Sequence, residues 1–216
     1  MWLAMTTFDR FDILQESLIS LLKCSFPEGT RLFIADDCST DPRVKQLLYT
    51  ISRVKRENVT IDVMFRSKNM GCDPNMVDTI KTVFVKSGEQ FIVTLDSDAI
   101  YNPQWLFKMI EARDSVKDNI GMLSVYDSNF HVIDGPYNDL LNRKKDVGGF
   151  ACMLNRDIFL SPDLRVFAWD WWYVDQCKKK DYAIFCTKVS WAQHIGKHGA
   201  HSDGTDKWDQ APNFVP

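Results

Sequence analysis

The sequence predicts an α/β protein built on a doubly wound, mostly parallel sheet with helices on both faces. Three observations predict it. Short apolar runs alternate with helix-period segments four times in the first half of the chain. Each helical segment is long enough to carry the crossover that parallel neighbours require. Polar residues gather where each apolar run stops, as they do at the ligand edge of such sheets.

Residues 2–7, WLAMTT, read as the first strand, and Phe11, Leu14, Leu18, Leu21 and Leu22 then recur at the spacing of one buried helix face. Residues 31–36, RLFIAD, are the second strand; the helix after it is expected to open at Asp41-Pro42 and to turn Val44, Leu47, Leu48 and Ile51 inward. Residues 59–65 give the third strand, followed by a helix opening at Asp73-Pro74 with Val77, Ile80 and Phe84 inward. Residues 90–95, QFIVTL, give the fourth, followed by a helix opening at Asn102-Pro103 with Leu106, Met109 and Ile110 inward. In each Asx-Pro pair the first residue suits the N-cap. The proline suits the first helical position, where its missing N–H costs nothing.

The second half is less regular. Residues 120–127 are expected to form a strand, 128–146 a polar, turn-rich connection, and 147–154 a further strand. An amphipathic helix is expected over 170–180 and one or two closing strands over 182–191. The tail from Gly196 is rich in Gly, His and Asp and lacks periodicity.

Composition narrows the function classes. At 216 residues, 45% hydrophobic and 25% charged, the chain fits one globular domain. A net charge of −3 supplies no basic field for nucleic acid or anionic lipid. The runs Arg143-Lys144-Lys145 and Lys178-Lys179-Lys180 read as a solvated loop and a solvated helix face. The six cysteines show no C-x-x-C pair and lie mostly in apolar segments, which points to a reduced, cytoplasmic chain. The N-terminus lacks the pattern of a signal peptide, and no window reaches the roughly 18 apolar residues of a membrane span.

The chemistry collects at four strand ends. These are Thr6-Thr7-Phe8-Asp9-Arg10, Asp36-Asp37-Cys38-Ser39, Arg66-Ser67-Lys68-Asn69 and Asp96-Ser97-Asp98. Ligands of open parallel sheets bind beyond these ends, so the four would line one polar crevice. Asp96 and Asp98, two apart in extended chain, project to one side. One suits direct coordination of a divalent cation and the other a hydroxyl or a metal-bound water; magnesium and manganese both favour oxygen ligands. A plain helix cap is the competing reading, and Asn102 already serves it.

The order T-F-D-R, ADDCST, LDSD, a Gly-Gly strand, an Asp-Trp helix ending in Asp181-Tyr182, and QHIG resembles the inverting glycosyltransferases of family 2, with the GT-A fold. The resemblance covers nearly the whole chain. It implies a metal-dependent transferase that takes a sugar from a nucleotide-diphosphate donor, a UDP-sugar by family default, using Mn²⁺ or Mg²⁺. It places Thr6, Asp9, Arg10, Asp36, Asp37, Arg66, Asn69, Asp96 and Gly149 around the donor, and Asp98 and His194 on the metal. Gly148 and Gly149 match the segment beneath the donor sugar and the acceptor. Asp170 matches the catalytic base; Trp169 stands where the family has glutamate, and Asp175 is the rival candidate. Residues 1–98 would form the nucleotide-sugar half and 99–216 the acceptor and catalytic half. His198 and its neighbouring glycines would close over the diphosphate.

Two other classes stay in view. A nucleotidyltransferase needs a Gly-rich, basic loop after the first strand, and TTFDRFD is neither. A sugar-nucleotide-binding module without catalysis fits the missing glutamate before Asp170. The acceptor is left open by the sequence, a modified nucleic-acid base included.

Overall fold

The structure is a computed structural model, and it describes residues 1–161, 164–197 and 209–216. In chain order the first half comprises β1 (Trp2–Thr7), α1 (Phe11–Leu22), β2 (Thr30–Asp36), α2 (Pro42–Ile51), β3 (Val59–Phe65), α3 (Cys72–Ser87) and β4 (Phe91–Leu95). The second comprises β5 (Ala99–Tyr101), α4 (Trp105–Asp114), β6 (Ile120–Ser124), β7 (Ile133–Pro136), β8 (Leu141–Lys144), β9 (Cys152–Asn155), α5 (Arg156–Phe159), α6 (Trp169–Lys179), β10 (Ala183–Thr187) and β11 (Ala192–His194).

Nine strands form one sheet in the order β3-β2-β1-β4-β9-β6-β10-β8-β7, and β11 and β5 form a separate pair. β1 to β4 are parallel; β9 runs antiparallel between β4 and β6, and β10 is again parallel to β6. Side-chain alternation along β1 shows why helices cover both faces. Leu3 and Met5 join the core under α1, α2 and α4. Trp2 and Ala4 join the opposite core under α3, α5 and α6.

The helix starts follow the sequence reading at one place and depart from it at two. Asp41 caps α2, its carboxylate accepting the Arg43 N–H at 2.8 Å, with Pro42 first in the helix. α3 instead begins at Cys72 after Gly71, whose φ of 89° is open to glycine and strained for other residues. Asp73 therefore lies inside the first turn and accepts the N–H of Ala168 at 3.0 Å. Asn102 forms a turn ahead of α4, its Oδ1 accepting the Gln104 N–H at 2.7 Å, and the helix begins at Trp105.

Three further expectations are corrected. The connection 128–146 contains the hairpin β7–β8, whose outer strand is too exposed to show an apolar signal. The expected strand over 147–154 is confined to Cys152–Asn155, because Gly148 and Gly149 lie in a bend and loop before it. The strand expected over 120–127 ends at Ser124.

Tyr173 sets the placement of α6 on the sheet. Its buried hydroxyl accepts the Asn155 N–H at 2.6 Å and donates to the carbonyl of Asn155 at 2.7 Å or of Gly121 at 3.1 Å. Tyr173→Phe strips these partners and leaves a buried N–H unsatisfied, so it is expected to cost about 1–3 kcal/mol by chemical denaturation. An unchanged midpoint would show that packing alone seats the helix.

Candidate active site

The carboxyl edge of the sheet is assembled by carboxylates that bind backbone. Asp36, at the end of β2, is fully buried and accepts the Ser39 N–H at 3.0 Å and its hydroxyl at 2.5 Å. Asp37, also buried, accepts the N–H groups of Met70 and Gly71 at 2.8 and 2.9 Å and so ties the β3–α3 loop to β2. Asp9 accepts N–H bonds from Thr40 and Asp41 and the Thr40 hydroxyl. The Asp41 N–H, followed by Thr40, holds the Asp9 carboxyl below its ordinary range against the opposing effect of burial.

Asp9 and Arg10 both adopt left-handed backbone, with φ of 48° and 56°. Two such non-glycine residues cost roughly 1–2 kcal/mol each, and the Asp9 carboxylate network holds the turn in place. Its consequence is the direction of Arg10, whose guanidinium lies 2.9 Å from Asp98 Oδ2.

The acidic pair does not stay in extended chain, as the sequence reading supposed. The backbone bends at Ser97 and Asp98 between β4 and β5, leaving Asp96 half-buried and Asp98 buried. Convergence comes from the far end of the chain. β11 pairs antiparallel with β5, setting His194 opposite Ala99, and the Ile195 N–H donates to the Asp98 carbonyl at 2.9 Å. His194 Nε2 then stands 3.4 Å from Asp96 Oδ2 and 3.3 Å from Asp98 Oδ1. One ligand atom from each of the three residues falls within 4.8 Å of the others.

Gly196 completes this corner. A Cβ at that position would collide with the Asp98 carboxylate and come within 2.9 Å of the Arg10 guanidinium. Two carboxylates and an imidazole form a donor set that suits Mn²⁺, and Mg²⁺ through the oxygens. Burial alone would lower the His194 pKa, but its hydrogen bond to Asp96 and the charges of Asp98, Asp96 and Asp209 outweigh burial and raise it to about 9.

A second group surrounds Gly149. The Thr94 hydroxyl, at the end of β4, donates to the Gly149 carbonyl at 2.5 Å. A Cβ on Gly149 would lie 2.5 Å from the Trp169 ring and 3.6 Å from the Asp170 Cβ. Trp169 is buried against Phe159 and Gly149, so this residue packs where the resembling family carries a glutamate. Asp170 lies in the first turn of α6, after Ala168 at φ 52°, and its Oδ1 accepts the Trp171 N–H at 2.9 Å. Asp175 lies further along the same helix and is exposed.

The other predicted residues sort themselves by contact. Thr6 is the next-to-last residue of β1 and lies beside Ala35. Arg66 turns onto α3, pairing with Asp78 at 2.5 Å and donating to Asn75 at 3.0 Å. Asn69 accepts the Gly71 N–H at 2.9 Å. The structure thus brings Arg10, Asp96, Asp98 and His194 together, sets Gly149 beside Asp170, and turns Arg66 into its own helix. The Arg10–Asp98 pair, the bare Cα of Gly196 and the charge of Asp209 near His194 were not read from the sequence. Only Gly196 left a trace there, as the last letter of QHIG. His198 lies outside the described residues.

The sheet order, with one antiparallel strand inserted beside β4 and an acidic loop leaving β4, is that of the GT-A fold. Residues 2–161 match the pattern described as Glycosyl transferase family 2, and the chain belongs to that family. Among solved structures it is similar to residues 1–349 of TarS from S. aureus in complex with UDP-GlcNAc, at 16% identity and a TM-score of 0.67. That likeness covers 95% of this chain and 61% of the TarS chain, so the protein spans about three fifths of the relative's length. It is also similar to GalNAc-T7 with UDP, GalNAc and Mn²⁺, at 12% identity and a TM-score of 0.65, covering 94% of this chain and 44% of that one. Comparison with curated proteins by sequence finds no match.

The raised pKa of His194 predicts a pH dependence. The folded value of about 9 exceeds the unfolded value of about 6.5. Its stabilisation is therefore complete below about pH 6.5 and is lost as pH rises through about 9. In chelator the melting temperature should fall over that window, and His194→Gln should flatten the fall. Parallel profiles for the two proteins would place the histidine's charge elsewhere.

Proposed function

We propose that this chain is a metal-dependent, inverting glycosyltransferase that moves a sugar from a UDP-sugar to an acceptor hydroxyl. The observation that carries the reading is the convergence of Asp96, Asp98 and His194 at the carboxyl edge of a GT-A sheet. The bound molecules of the two structural relatives, UDP-GlcNAc in one and UDP with Mn²⁺ in the other, support the donor class and the ion.

Asp98, Asp96 and His194 would hold Mn²⁺ or Mg²⁺. When bound, such a cation neutralises the donor diphosphate and makes it a competent leaving group. Residues 1–98 supply the donor half and 99–216 the catalytic half. Thr6, Asp36 and Asp37 border the base and ribose; each Asp37 oxygen that accepts a backbone N–H keeps a further lone pair for a ligand. Arg66 and Asn69 shape the loop after β3, while Asp9 aims Arg10 at the acidic corner. The bare Cα of Gly149 admits the Trp169 ring, which packs there beside Asp170.

Asp170 takes the proton of the acceptor hydroxyl as its oxygen attacks the anomeric carbon from the face opposite the diphosphate. The new C–O bond forms as the bond to the diphosphate breaks, so the anomeric configuration inverts. Positive charge on the sugar ring develops near the fixed carboxylates. All six cysteines are free thiols, which supports a cytoplasmic site of action. Among the described residues no helix is long and apolar enough to cross a membrane.

The test is UDP release from a panel of UDP-sugars with Mn²⁺. Asp98→Asn should abolish the Mn²⁺-dependent part of donor binding. Asp170→Asn should keep donor affinity and lose roughly 10²–10⁴ in turnover, the span of general-base catalysis. A wild-type protein that binds nucleotide sugars and releases no UDP would be a binding module instead.

A further inference from the structure

The loop between β6 and β7 carries His131, a residue that the donor site and the base do not use. Its Nδ1 lies 2.6 Å from Asp146 Oδ1. The Asp146 carboxylate engages Nδ1 and fixes the ring's orientation, so that Nε2 points the other way. The ring is firmly placed. The Lys144 ammonium, with its side chain only 1% exposed, donates to the His131 carbonyl at 2.7 Å and pairs with Asp127 at 2.5 Å. A buried ammonium is costly unless paired, and here both partners, the His131 carbonyl and Asp127, lie in this loop and tie it to β8.

His131 faces the catalytic half of the site. A Cβ on Gly148 would sit 3.4 Å from its Nε2, and the adjacent Gly149 is the residue beside Asp170. Its ring lies 6.2 Å from that of Trp171, centroid to centroid. Trp169, Trp172 and Tyr173 are buried, but Trp171 is 56% exposed, immediately after Asp170. A largely exposed indole that follows Asp170 in α6 and an oriented imidazole beside Gly148 thus sit together on the segments that carry the proton acceptor and Gly149.

We propose that Trp171 and His131, the latter fixed by Asp146, form an acceptor subsite for a pyranose ring, so that the acceptor is a carbohydrate. The inference rests on the reading of Asp170 as the base. A pyranose has an apolar face of C–H bonds that suits an aromatic surface and a rim of hydroxyls, one of which hydrogen-bonds to Nε2, since a hydroxyl can donate or accept. Exposed Phe130 and Phe167 raise the alternative of an alkyl chain. An alkyl chain would cover the oriented imidazole without giving it a hydrogen bond, and an unmet polar group is a cost.

Saturation-transfer NMR on the whole chain, with methyl glycosides of common hexoses and N-acetylhexosamines, with octyl glucoside, and with or without UDP and Mn²⁺, tests this. At least one methyl glycoside should bind. Trp171→Ala should weaken it at least tenfold, Trp171→Phe should recover part of the loss, and His131→Ala should weaken it severalfold. Phe107→Ala, an exposed aromatic on α4, should leave binding intact, and melting curves establish that each variant is folded. Absence of methyl glycoside binding, binding by octyl glucoside alone, or equal affinity in Trp171→Ala would overturn the subsite. Glycoside binding in a protein that releases no UDP from any donor would uphold the subsite and count against the transferase reading instead.

Discussion

The antiparallel pairing of β5 with β11 is the constraint on which the site depends. It joins residues 91 to 95 apart in the chain, and without it His194 has no reason to face Asp96 and Asp98. Three residue pairs make up the register, too few to be stable as an isolated ribbon. What holds them is burial. Ala99, Tyr101 and Ala192 all belong to the larger core, and Phe150 packs edge-on to the His194 ring at 5.3 Å. The acidic corner therefore inherits its geometry from the hydrophobic core beneath it.

Charge balance explains the rest of the corner. Asp98 faces Arg10, and both Asp98 and Asp96 face His194, whose pKa they raise. A cation at this place competes with both partners. Histidine must release its proton to become a ligand, whereas arginine stays charged and can only move or accept a neighbouring anion. A donor diphosphate would supply that anion. The left-handed turn at Asp9 and Arg10, held by the Asp9 carboxylate, fixes where the guanidinium waits.

Much of this was legible in the sequence, for physical reasons that differ by region. β1, β2 and β4 are largely buried on both faces and, with the edge strand β3, read as apolar runs whose polar ends announce the ligand edge. The helix starts at Asp73 and Asn102 misled because an Asx-Pro pair suits a turn or a first helical turn as well as a cap. β7, with Ile133, Asp134 and Pro136 exposed, gives no period at all. β5 and β11 are three residues each, below what alternation can reveal. Asp96 and Asp98 were read as a cation-binding pair from their own spacing, whereas His194 was found through the family resemblance, since local spacing says nothing of a contact across the chain. Asp36 and Asp37 carried a signal for the donor, and the structure shows them also spent on backbone N–H groups that build the loops.

The central claim is that the acidic corner holds a divalent cation and, through it, the donor diphosphate. Electron paramagnetic resonance of Mn²⁺, titrated with protein in the presence and absence of UDP, addresses it most directly. The account predicts one bound ion per chain, held more tightly when UDP is present. UDP that binds equally well in chelator, with the signal of free Mn²⁺ undiminished by the protein, would contradict it.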